Sequence, residues 1–316
     1  MPRFTERHDL LRKRLERFTR MLPGVQEGDG RAIHRARVAS RRLREVLPVL
    51  QLDAEDLDKL SRRLRKITNR LGKVRELDVL LTVIDELGKT GRYPQAALAR
   101  LTTTIHEERG RKRKRVLAKS QIRELRRVGA KLTKVARTLE GQDGRAARGT
   151  DRRSWKWAVD ARVARRAATL NTAMSAAGTV YLPERLHDVR IAVKKLRYAL
   201  ELSADVAQIK SSPDLTQLRR VQGILGRLHD LHVLMERARE AQASLTPPDV
   251  NEWRQLDVLV ASLEDNCRRL HGRYMKDREV LVALCARLSG RAREGSAEKS
   301  EVRKILRTRP RATSSL

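Results

Sequence analysis

His34-Arg35-Ala36-Arg37-Val38-Ala39-Ser40-Arg41-Arg42-Leu43-Arg44 returns 153 residues later as His187-Asp188-Val189-Arg190-Ile191-Ala192-Val193-Lys194-Lys195-Leu196-Arg197. Of the eleven positions, five are identical and three more are conservative. Wound as a helix at about 100° per residue, His34, Arg37, Arg41 and Arg44 share a sector of about 80°. Ala36, Ala39, Leu43, Val46, Leu47 and Leu50 lie on the opposite side. The second copy repeats the arrangement, with His187, Arg190, Lys194 and Arg197 backed by Val189, Ala192, Leu196, Ala199 and Leu200. Each stretch therefore predicts an amphipathic helix whose polar face is nearly all cation.

A second pair of matches follows at almost the same spacing. Leu71-Gly72-Lys73-Val74-Arg75-Glu76-Leu77-Asp78-Val79-Leu80 aligns, 154 residues on, with Leu225-Gly226-Arg227-Leu228-His229-Asp230-Leu231-His232-Val233-Leu234. Two matches at nearly one offset predict an internal duplication. Elsewhere apolar residues recur every three or four positions, as in Leu57, Leu60, Leu64, Ile67 and Leu71, and no segment alternates as a strand would. Breaks fall where Gly, Pro, Asp and Ser gather: 23–30, 88–94, 141–151, 176–183, 211–213 and 246–249. They cut the chain into about eight helices, four on each side of the 141–151 linker. The expected fold class is all-α, with two antiparallel four-helix bundles related by a pseudo-two-fold axis. The expected units are residues 1–148 and 149–290, forming one domain, followed by a basic, disordered tail at 291–316 with at most a helical turn at Val302–Leu306.

The charge balance says what such a protein meets. Lys and Arg total 71 against 39 acids, a formal net charge of +32 in 316 residues. A charge that large repels itself in a compact chain and points to an anionic partner. Aromatic residues make up 3%, so there is almost nothing on which to stack single-stranded bases. That favours a phosphate chain over single-stranded nucleic acid, and leaves duplex binding through phosphate contacts open. Cys267 and Cys285 read as small core residues in a reducing compartment. Residues 1–20 are charged throughout and form no signal peptide, and no apolar run reaches the length of a membrane span, so the expected place is the cytoplasm, with no membrane partner.

The paired stripes sharpen the reading. Like charges three and four residues apart disfavour a helix by roughly 0.2–0.5 kcal/mol per pair, yet Glu45 is the only acid between Arg31 and Leu52. Cations spaced about 5 Å apart along a rod of roughly 15 Å suit an extended anion better than a point anion. Each Arg can give a phosphate two parallel hydrogen bonds, and each Lys a point charge. Further candidate ligands are Lys66 and Lys73 with their counterparts Arg220 and Arg227, and Arg111, within the basic run 109–115, with Arg268. Gly72 and Gly226 serve close helix approach or end a helix as a C-cap.

These residues resemble the CHAD family, the conserved histidine α-helical domain. The resemblance rests on His-x-x-Arg-Val/Ile-x-x-Lys/Arg-Lys/Arg-Leu-Arg, present twice, each copy followed by Leu-Gly-x-x-Arg/His-Asp/Glu-x-x-Val, and it runs from about Arg3 to Gly290. It implies two pseudo-symmetric bundles whose basic helices face a shared groove or pore holding inorganic polyphosphate, and association with polyphosphate granules. It carries the binding role onto His34, Arg37, Arg41, Arg44, His187, Arg190, Lys194 and Arg197, and onto Lys73 and Arg227. The chain departs from the family at the loop that usually reads Arg-Asp-x-Asp-Val, which here is Arg75-Glu76-Leu77-Asp78-Val79 and His229-Asp230-Leu231-His232-Val233. The Glu-x-Glu-x-Lys motif of the triphosphatase domain that accompanies many relatives is not found, so no such activity is expected.

Other chemistries find little support. His229 and His232 lie three apart around Asp230, but the first copy has Arg75 and Asp78 there and no third ligand is identifiable, so no metal site is expected. No nucleophile constellation and no glycine-rich phosphate loop appear. The expectation is a non-catalytic polyphosphate-binding protein without cofactor. The rivals are a histone-like protein that binds nucleic acid without sequence preference and a polyphosphate hydrolase or transferase.

Overall fold

The structure is a computed structural model and describes residues 6–145, 151–209, 212–245 and 249–308, with side chains described as far as residue 290 apart from 120, 144, 145 and 151–154. Among these residues the chain is helical and contains no strand. In order come α1 (Arg7–Thr19), α2 (Leu22–Glu27), α3 (Gly30–Val46), a 3-10 turn (Leu47–Val49), α4 (Ala54–Lys89), α5 (Gln95–Leu117), α6 (Lys119–Arg145), α7 (Asp151–Ala177), α8 (Pro183–Ala207), α9 (Pro213–Ala243) and α10 (Val250–Thr308).

Local chemistry sets many of these ends. Pro183 and Pro213 open α8 and α9, at the position where a missing N–H costs nothing. Gly28 turns the chain with φ +79°, and Asp29 then caps α3 by accepting from the Arg31 and Ala32 N–H groups, each at 3.0 Å. The expected breaks at 88–94 and 176–183 fall between α4 and α5 and between α7 and α8. The expected unit boundary at 148/149 lies outside the described residues. One break has no Gly or Pro to announce it. At Ala118 the backbone extends (φ −54°, ψ 136°) and separates α5 from α6, whereas α10 runs unbroken. Three further expectations are corrected. α10 continues to Thr308, so 291–308 is helix where a disordered tail was expected; the segment is rich in Arg, Ala, Glu and Lys, which are strong helix formers. Residues 75–79 and 229–233 lie inside α4 and α9, not in a loop, and Gly72 and Gly226 are mid-helix residues, not caps.

The halves run in parallel register. α3 begins at 30 and α8 at 183; α4 ends at 89 and α9 at 243. α3 packs on α1 and α4, as α8 does on α7 and α9; α6 returns along α1, as α10 returns along α7. Leu10, Phe18, Leu43 and Leu64 centre one hydrophobic cluster, mostly of the first half but joined by Trp155 and Val159 of α7 and Leu202 and Val206 of α8, and Leu170, Leu196, Leu218 and Leu281 centre another within the second. A third cluster belongs to both. Leu77–Leu87 of α4, Leu98–Ile105 of α5, Leu231–Ala238 of α9 and Leu256–Cys267 of α10 pack together. Cys267 and Cys285 are fully buried there and in the second cluster.

Ion pairs stitch the halves further. Glu45, nearly buried, is bound by Arg162 at 2.7 Å and Arg166 at 3.2 Å from α7. Arg42 reaches Glu201 at 3.1 Å, Arg14 pairs with Asp205, and Arg100 meets Glu252 at 2.6 Å. The result holds α3 against α8 and α4 against α9, which is what the site requires.

Candidate functional site

The cationic faces of α3 and α8 meet across one cavity. Its volume is about 440 Å³, and α4 and α9 complete its walls. His34, Arg37, Arg41 and Arg44 enter from α3, and His187, Arg190, Lys194 and Lys195 from α8. Arg75 and Glu76 of α4 and His229 and Asp230 of α9 also line it. Each basic helix is held by its apolar back: Ala32, Ile33, Ala36 and Leu43 of α3 are nearly or fully buried, as are Val189, Ala192, Val193 and Leu196 of α8. Ser40 and Thr68 share a buried hydrogen bond of 2.8 Å that pins α3 to α4 beside the cavity.

The charges are poorly compensated. Arg37 reaches Glu76 only at 4.0 Å, and Arg190 reaches Asp230 only at 3.9 Å. Both are beyond hydrogen-bond length. The two pairs are equivalent in the repeat. Arg41, Arg44, Arg75 and Lys194 form no ion pair with any described residue. The Nε atoms of Arg37 and Arg190 and Nδ1 of His34 are buried and engage no described protein group. Such orphaned donors are costly unless a ligand meets them.

Proton affinities report the same crowding. Burial, with Arg190, Arg41 and Arg37 close by, drives the Lys194 amine down to about 6. Burial and Arg41 bring Arg37 down to about 10. Burial, then Arg190 and His187, bring His229 down to about 3. His34 is lowered by burial and Arg75, and His187 by burial and Arg190. The histidines therefore line the cavity as neutral rings able to donate one N–H. His187 and His229 touch, Nδ1 to Nδ1 at 3.2 Å, an arrangement in which one ring donates and the other accepts. Among the described residues no group of three or more His, Cys, Asp or Glu could hold a metal ion. His232 lies beside Glu236 at 3.4 Å.

Of the residues singled out in the sequence, seven converge on the cavity: His34, Arg37, Arg41, Arg44, His187, Arg190 and Lys194. Seven stand outside it. Arg197 donates to Gln222 at 2.7 Å, pairs with Glu201 and lies over the Tyr198 ring. Arg227 pairs with Glu86 at 2.6 Å and Arg220 with Asp277 at 3.3 Å. Arg268 and Arg111 extend toward Glu264 and Glu107 on their own helices. Lys66 is exposed. Lys73 lines a separate hollow with Arg70, Lys112 and Arg115. Sequence reasoning did not name Arg75, Glu76, Lys195, His229 or Asp230 as anion ligands, and weighed His229 and Asp230 only as a metal site. The signal for two of them, Arg75 and Glu76, was Gly72. A Cβ on Gly72 would stand 3.2 Å from Arg37 Nε, so this glycine marks the face of α4 that meets the cavity, with Arg75 and Glu76 one turn beyond it. Lys73, a residue later, points about 100° away.

A family model for the CHAD domain matches residues 9–239. The chain belongs to the CHAD family. A crystal structure of the CHAD domain from the plant Ricinus communis superposes on this CHAD protein with a TM-score of 0.56 at 20% identity, covering 91% of this chain and 94% of that one. At that identity the likeness establishes the shared helical fold. No curated protein matches the chain. Among the described residues of this CHAD protein no helix is long and apolar enough to cross a membrane.

Proposed function

We propose that this CHAD protein binds inorganic polyphosphate, without turning it over, in the cavity between α3, α4, α8 and α9. The observation that carries the reading is the convergence there of His34, Arg37, Arg41 and Arg44 with His187, Arg190 and Lys194. Unpaired guanidinium and amine groups from two helices give a run of phosphates several contacts at once, and multivalency along the chain multiplies them. CHAD domains are associated with polyphosphate binding in general. We read the halves as duplicated four-helix units about a pseudo-two-fold axis; equivalent helix starts, equivalent packing and the equivalent pairs Arg37–Glu76 and Arg190–Asp230 support this. On this reading the protein would work at polyphosphate granules, the association that the family resemblance implies.

Nucleic acid is the rival ligand. A cavity of about 440 Å³ admits a chain of single phosphates but not a duplex, which would meet only outer cations. Double charge reversal, Arg37→Glu with Arg190→Glu, is expected to weaken polyphosphate binding by at least about 100-fold, since each replaces a charge-assisted contact worth about 1.5–3 kcal/mol. Arg12→Glu with Arg62→Glu, both on exposed faces, is expected to change it by less than about threefold. Equal losses, or displacement of long-chain polyphosphate by duplex DNA at equal phosphate and physiological salt, would defeat the proposal. Incubation with polyphosphate and Mg²⁺ is expected to release no phosphate.

A further inference from the structure

Glu76 and Asp230 are at odds with their surroundings. A cavity grown only to attract anions would not carry acids, yet each half places one near a mostly buried arginine, at 4.0 Å from Arg37 and 3.9 Å from Arg190. The positions correspond across the repeat, so the placement occurs twice. Neither acid is needed to satisfy its partner: both distances exceed hydrogen-bond length, and both arginine Nε atoms are left without a protein partner. Nor are they deep structural ion pairs. The Glu76 side chain is 67% exposed and that of Asp230 27%, while both arginine side chains are 16% exposed. Each acid is more exposed than the guanidinium it faces, and both line the cavity that an entering phosphate would occupy.

We infer that Glu76 and Asp230 are selectivity residues, tethered carboxylates that compete with the incoming anion for Arg37 and Arg190. The inference rests on the polyphosphate reading and adds a preference to it. A small phosphate that reaches one arginine meets a carboxylate already held there and gains little. A longer chain also engages Arg41, Arg44 and Lys194, which have no acid partner among the described residues, and this added attraction carries it past both acids. Specificity then comes from built-in repulsion as well as attraction. Glu76 is also close enough to Arg190 and His187 to raise their proton affinities, so its charge acts on both halves of the cavity.

The test compares the folded wild-type protein with Glu76→Gln, Asp230→Asn and the double variant, using tripolyphosphate and a long-chain polyphosphate as separate probes. Glu76→Ala with Asp230→Ala serves as a second double variant, and thermal unfolding checks that each is folded. Tripolyphosphate is expected to bind the double variant about tenfold more tightly, the scale of two partly exposed ion pairs removed. Long-chain polyphosphate is expected to gain less, so the ratio between the probes narrows. Folded variants that bind tripolyphosphate no more tightly than wild type, or an unchanged ratio, overturn the inference while leaving the binding function intact. Wild-type protein that binds neither probe overturns both.

Discussion

Lys194 carries the cost of assembling so much positive charge. Half-buried among Arg190, Arg41 and Arg37, its amine is lowered to about 6 from an ordinary 10.5, so at pH 7.5 the free protein holds it mostly neutral. A bound phosphate supplies the missing counter-charge and raises the amine again. The bound state therefore carries more protons than the free state, and affinity falls as pH rises from about 6 toward the ordinary lysine range. Calorimetry at pH 7.5 in two buffers of different ionisation enthalpy is expected to report uptake of up to about one proton per bound site. Lys194→Arg, whose guanidinium stays charged, is expected to keep binding and lose most of that uptake. Proton release, or uptake undiminished in the arginine variant, would show that Lys194 is not at the phosphate.

At the scale of the helices, Gly72 and Gly226 occupy equivalent places in α4 and α9 but differ in surroundings. A Cβ at 72 would crowd Arg37 Nε at 3.2 Å, while one at 226 would meet nothing within 4 Å. Alanine at either place favours the helix by about 0.8–1 kcal/mol. Gly72→Ala is thus expected to weaken polyphosphate binding several-fold by displacing Arg37, without loss of stability, whereas Gly226→Ala raises stability and leaves affinity unchanged. Titration with polyphosphate alongside denaturant unfolding distinguishes the two, and identical behaviour would remove Gly72 from the site. The same helices mark how far the sequence could be read. Apolar spacing gave helices, and Pro183, Pro213 and Gly88 placed breaks, because these residues act locally. The break at Ala118 escaped, since nothing at that position forbids a helix. Residues 75–79 and 229–233 read as a loop although Leu77, Leu80, Leu231 and Leu234 pack into the shared core; only tertiary packing extends α4 and α9 through them. In the site, the stripe on α3 was legible because one helix defines it. The facing residues of α4 and α9 were not, because their orientation depends on how four helices cross.

In the molecule as a whole, the charge of +32 is unevenly spent. Between the halves, Arg42, Arg14, Arg100, Arg162, Arg166, Arg227 and Arg237 meet acids across the interface, and these cations serve cohesion. At the centre, Arg41, Arg44, Arg75 and Lys194 form no ion pair with a described residue, a state that favours an anion over a closed core. The Ricinus communis domain keeps this fold at 20% identity, as expected when apolar periodicity and volume decide packing more than residue identity does. The anion is expected to thread between the two motif helices. A crystal structure with tripolyphosphate tests this most directly: phosphate density is expected between α3 and α8, within hydrogen-bond reach of Arg37, Arg41, Arg190 and Lys194. Ordered phosphates confined to outer cations such as Lys66, Arg111 and Arg268, with the central cavity free of them, would contradict the account.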